Sequence, residues 1–244
     1  MESLEAERER AEALDVSELA DAIETIGFEC TRCGACCKAV EGCGGDGGDG
    51  GGDAAERGDG SAGEDAEGHD HTATVFPDEV RELQETDDYD WRDVARPMPY
   101  GLVEGEDGPQ GETFEWALQT DDCGDCTFYA EDDEGVGACT VHGDRPLVCR
   151  TYPFSVALGG TSQPMGEAVD EAGMVRAHEC EGLGRDISRD EAEELARALK
   201  QRAVRELEEA VAVRDSYRPI ERGPGEVVVF DSEGPKRSDG SEIE

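Results

Sequence analysis

Eight of the ten cysteines in this 244-residue chain fall into two groups spaced like ligands of a soft metal. The first is compact: Cys30-x-x-Cys33-x-x-Cys36-Cys37. A C-x-x-C-x-x-C turn lets three thiolates converge from one short loop, and Gly34 supplies the backbone freedom needed to wrap an ion. Such a loop offers three corners of an iron–sulfur cluster, or two or three ligands of a zinc site, and lacks a fourth. Adjacent side chains point apart, so one of Cys36 and Cys37 is expected to complete the local set. The other reaches a second site or packs inside. The second group is dispersed over Cys126, Cys139, Cys149 and Cys180, and Cys149 is the expected closing ligand of the first site.

Cys149 carries its own chemical signature. Pro146 suits the start of a short helix, and a helix N-terminus flanked by Arg145 and Arg150 would stabilise a thiolate. The same arginines could donate hydrogen bonds to cluster sulfur, or pair with the many carboxylates nearby. His142, three residues after Cys139, has zinc-ligand spacing but equally suits a surface or capping role. Cys123 and Cys126 form another C-x-x-C whose acidic neighbours would raise a thiol pKa, so Cys126 is read as a ligand and Cys123 as a bystander. Cys43 also lies outside the two groups.

The pattern F-x-C-x-x-C-G-x-C-C, followed later by G-x-C-x-x-H-x-x-R-P-x-x-C-R-x-Y-P-F, resembles the YkgJ-type cysteine-cluster family. The matching segments are Phe28–Cys37, Thr74–Leu83, Cys126–Tyr129, Gly137–Phe154 and Cys180. The resemblance implies chelation of zinc or iron by Cys30, Cys33, Cys36, Cys37, Cys126, Cys139, Cys149 and Cys180. This chain departs from the family by an acidic Gly-rich insertion after the first motif, and by Cys43 and Cys123.

The elements that must hold these thiols are readable from caps and periodicity. Asp15 with Glu18 opens a helix bearing Val16, Leu19, Ala20, Ile23 and Ile26, and Gly27 stops it just before the first cysteines. Pro77 opens a short helix, and Ser188 with Glu191 opens the longest one, with Ala192, Leu195, Leu199, Ala203, Leu207 and Val211 on its apolar stripe. Alternation around Met98–Val103 and Thr113–Leu118 suggests a hairpin. The expected architecture is a small α+β, loop-rich, metal-stapled single domain. It divides into an N-terminal helical region (1–27), a cysteine-cluster domain (28–187), a packed helix (188–213), a short strand region (214–230) and a disordered tail (231–244).

Composition limits what such a domain can do. The chain has 62 Asp+Glu against 22 Lys+Arg, a net charge of −40, and 12 Leu, 5 Ile, 18 Val and 6 Phe, about 17% of its residues. That combination signals disorder. Residues 42–70, however, hold 12 Gly and 9 Asp+Glu with no large aliphatic residue, so the disorder signal concentrates there and in the tail. A broad basic surface for nucleic acid is excluded, as is an anchor to anionic lipid or a membrane span. With only three lysines, Lys38, Lys200 and Lys236, the acidic surface resembles that of proteins from salt-loving cells, where molar salt screens self-repulsion. The N-terminus reads as cytoplasmic, a compartment in which clustered thiols hold metal more often than disulfides. The function expected is metal binding, with iron in an iron–sulfur cluster or zinc, and a redox or electron-transfer role if iron. An enzyme modifying protein side chains and a zinc-stabilised interaction module are the alternatives. No catalytic motif supports an enzyme.

Overall fold

In the computed structural model, residues 3–39, 71–106, 108–133, 136–158, 168–170 and 173–243 are described. The expected disorder of the 42–70 insertion lies outside them. The chain begins with α1 (Leu4–Ala13) and α2 (Val16–Ile26). The Asp15 carboxylate accepts the Ser17 N–H at 2.7 Å and the Glu18 N–H at 3.1 Å, satisfying amides that have no partner within the helix.

After the first cysteine loop come β1 (Thr74–Val75), α3 (Pro77–Gln84), α4 (Trp91–Val94), β2 (Ala95–Pro97), β3 (Leu102–Gly105), β4 (Gly108–Thr113) and β5 (Trp116–Leu118). β5 is the centre of a small sheet, antiparallel to β1 and β2. The expected hairpin is therefore present in nested form. Its outer strands are β2 and β5, and its Gly-rich middle pairs as β3 with β4.

The cysteine-bearing half continues with β6 (Tyr129–Glu131), β7 (Gly137–Cys139), α5 (Leu147–Thr151), β8 (Phe154–Val156), β9 (Ala168–Asp170) and β10 (Val175–His178). Then follow α6 (Arg189–Ser216), β11 (Val227–Asp231) and β12 (Gly234–Arg237). The Ser188–Glu191 capping box opens α6 as expected. The helix runs to Ser216, three residues beyond the expected 213.

Two apolar clusters form. Leu19, Ile23, Phe154, Leu199 and Leu207 belong to the one that joins α2 and α6 to β8 and β10. Val80, Leu83, Trp116, Phe128 and Val229 belong to the other, into whose edge Cys37, Cys126, Cys139 and Cys149 pack. Burial of large side chains is worth about 1.5–3 kcal/mol each, so two such clusters hold a chain this poor in aliphatics. Arg202 on α6 is buried as well. It donates to Thr151 Oγ1 at 3.0 Å and pairs with Glu206 at 2.7 Å.

The tail corrects the expectation of disorder at 231–244. β11 and β12 pair antiparallel, and β11 also runs parallel to β4. Lys236 and Asp231 are buried together at 2.8 Å, and Asp231 also accepts the Trp116 indole N–H at 2.9 Å. A composition reading weighs aliphatic surface and misses this segment, because a strand ladder and a hydrogen-bonded buried ion pair order it. Among the described residues no helix is long and apolar enough to cross a membrane. The fold is mixed α+β.

Candidate metal centre

Backbone stitching places the thiols. Gly27, at φ 76°, ends α2 and turns the chain into the first cysteine loop. There the Glu29 N–H donates to Gly182 O at 3.0 Å and the Gly184 N–H donates to Gly27 O at 3.0 Å, which lays Cys30 alongside the Cys180 segment. Gly182 permits this approach, since a Cβ there would sit 2.3 Å from Glu29 O.

The loop then turns towards the dispersed cysteines. Gly34 is left-handed at φ 77°, and a Cβ on it would lie 2.1 Å from the Tyr129 hydroxyl. The turn Ala35–Cys37 follows, and Cys37 O accepts the Cys126 N–H at 2.8 Å. Asp125 Oδ1 accepts the Ala39 N–H at 2.8 Å. β6 and β7 carry Cys139 opposite Tyr129.

Cys149 sits on α5, which is held at both ends. The Leu147 N–H at its start donates to the buried Glu79 carboxylate at 2.8 Å. Glu79 Oε2 also accepts the Phe76 N–H at 3.0 Å, capping α3. At the far end of α5 the Tyr152 hydroxyl donates to Glu179 O at 2.5 Å, next to Cys180.

Among the described residues eight cysteines are free thiols: Cys30, Cys33, Cys36, Cys37, Cys126, Cys139, Cys149 and Cys180. Cys123 is disulfide-bonded while Cys126 is free, so this C-x-x-C is not closed on itself. Cys43 lies outside the described residues. Among the described residues no three His, Cys, Asp or Glu side chains enclose an ion as they stand.

The electrostatic neighbourhood sorts the thiols. Burial first, then the fields of Cys33, Cys36 and Cys30, raises Cys180. Burial first, then Cys126, Cys36 and Cys139, raises Cys149. Cys126 is pushed up to about 11 by burial and then by Cys139 and Cys36. Cys139 is raised by burial and, more weakly, by Cys36. Cys36 thus acts on both neighbourhoods. Its sulfur stands 3.8 Å from that of Cys37, whose hydrogen bond lowers Cys36 to about 7 while Cys37 rises.

The Arg145 field favours the Cys149 thiolate, as its sequence position suggests, but burial and three neighbouring thiols outweigh it. Arg145 is half-buried, and its field lowers Cys36, Cys139 and Cys149, whereas Arg150 is exposed. Arg145 also donates to His142 O at 3.1 Å and lowers the pKa of the exposed His142.

The donor chemistry fits a soft metal. Clustered buried thiols resist ionising alone, and a cation that takes their protons' place relieves this. Cys180 Sγ accepts the Gly182 N–H at 3.4 Å, and Cys126 and Cys139 accept from Phe128 and Val141. All three bonds run from the amide two residues on, and N–H donors of this kind stabilise a thiolate. Glu79 and Arg202 were not singled out from the sequence. The one available signal was the position of Glu79, two residues after the helix-opening Pro77.

An α+β scaffold that gathers eight free cysteines from one tight loop and four later segments defines a cysteine-cluster metal-chelating protein. Residues 29–181 match the family model CxxCxxCC, described as a domain proposed to chelate zinc or iron, and the chain belongs to that family. A search of curated proteins returned no match, and neither did a search of solved structures.

Proposed function

We propose that the eight free thiols make two adjoining four-thiolate sites: Cys30, Cys33, Cys36 and Cys180 in one, and Cys37, Cys126, Cys139 and Cys149 in the other. The observation that carries this reading is the backbone pairing that lays Cys30 alongside the Cys180 segment and Cys37 against Cys126, with the mutual fields of the thiols running the same way. It revises the sequence-based expectation that Cys149 closes the first set, giving that place to Cys180. The Cys36 and Cys37 sulfurs stand 3.8 Å apart, so the two sites adjoin and Cys36 can lean to either. Four thiolates per site suit single zinc or iron ions. Arg145 would balance part of the thiolate charge.

An iron–sulfur cluster is the second reading, favoured by the C-x-x-C-x-x-C spacing of the first set. Iron in either form would supply a one-electron couple, and zinc a folding staple. Purification in high salt without oxygen, with metal, sulfide and absorption measured together, decides among them. Two metal ions per chain without acid-labile sulfide is the expected result. Broad absorption near 400 nm with stoichiometric sulfide supports the second reading, and a metal-free protein defeats both.

A further inference from the structure

A cavity of about 480 Å³, with no cysteine in its lining, opens along the seam between the two apolar clusters. Val75, Met98, Trp116, Val156, Leu158 and Leu207 form its walls. Its volume is that of a site for a small organic molecule, on the order of 300–1,000 Å³. Carboxylates stand around it: Glu115, Glu206, Glu209 and Asp231. Asp231 is satisfied by Lys236 and Trp116, and Glu206 pairs with Arg202. Arg214, the one cation on the lining, is engaged by Glu5 at 2.7 Å and Asp215 at 2.8 Å. Glu115 is exposed and Glu209 half-buried; Glu209 accepts from Ser232, whose N–H donates at 2.7 Å, and among the described residues neither carboxylate makes an ion pair.

We propose that this cavity binds an amphipathic monocation, an apolar chain or ring bearing one ammonium group. The apolar part fills the space between α6 and β5, and the ammonium lies at Glu115 and Glu209. Burying an ion is costly unless it meets an opposite charge, so a carboxylate-lined apolar cavity rejects anions and favours a single cation. The present state of the carboxylates fits this. Loss of hydration first, then the fields of Glu206 and Glu209, holds the Glu115 carboxyl above its ordinary value, and loss of hydration raises Glu209 as well, against the Ser232 hydrogen bonds and the weaker field of Arg205. A bound cation reverses that penalty.

Trp116 lines the cavity, so tryptophan emission of the full-length, metal-loaded protein reports occupancy. Octylammonium, octanol and octanoate are titrated at pH 8. Octylammonium is expected to give a saturable change, with a dissociation constant at least about tenfold below that of octanoate. In the double variant E115Q/E209Q octylammonium should bind no better than octanol, whose own affinity stays unchanged, and metal content should be unaffected. Ala210→Phe, which fills the cavity, should abolish all three signals. Equal binding of octanoate and octylammonium overturns the proposal, as does undiminished octylammonium binding in E115Q/E209Q or the absence of a saturable signal.

Discussion

The Glu79 carboxylate accepts the Leu147 N–H at 2.8 Å with one oxygen and the Phe76 N–H at 3.0 Å with the other, so one buried acid starts both α3 and the helix that carries Cys149. Glu79→Ala leaves two amides without their acceptor and should cost about 1–3 kcal/mol of stability. It should also lower metal content, because α5 is then free to turn Cys149 away. Glu79→Gln keeps one acceptor oxygen and should lose less of both. Chemical unfolding with parallel metal analysis measures the two effects.

Gly34→Ala should be more disruptive than its one carbon suggests. The left-handed backbone costs an alanine about 1–2 kcal/mol. The added methyl would also displace the Tyr129 ring, which stands opposite Cys139. Reduced metal per chain and a lower unfolding midpoint are expected. A metal-replete, fully stable variant would show that the loop tolerates another path.

Lys236→Met should test whether the C-terminal hairpin is part of the folded body. It leaves Asp231 buried without its cation, an imbalance worth about 3–5 kcal/mol. The double variant D231N/K236M should recover part of that loss. Thermal unfolding of the single and double variants checks the comparison.

Glu233 makes acid sensitivity predictable in sign. Hydrogen bonding to Arg81 first, and to Lys236 as well, lowers its carboxyl from 4.5 to about 2. Its contribution to stability is therefore complete above pH 4.5 and is lost as pH falls through about 2. Glu233→Gln should flatten that part of the stability–pH curve, as measured by urea midpoints from pH 5 downwards.

Caps and metal-ligand spacing carried most of what was legible in the sequence. Asp15, Pro77 and Ser188 each open the helix expected of them, because capping is decided within four residues. The grouping of eight cysteines was legible from their spacing and from the motif that carries them. Which thiols are neighbours was not. Cys180 adjoins Cys30 only because Glu29 and Gly182 pair across some 150 residues of chain, and no local signal encodes that. The tail was misread because Lys236 and Asp231 sit in a composition typical of disorder, yet bury each other.

The central claim is that the thiols form two sites, one closed by Cys180 and the other by Cys149. Metal per chain in the wild type, Cys180→Ser and Cys149→Ser, each purified in high salt without oxygen, tests it most directly. The account predicts that each variant loses about half of the wild-type metal and keeps the rest. A full complement in both variants, or complete loss in both, would contradict it.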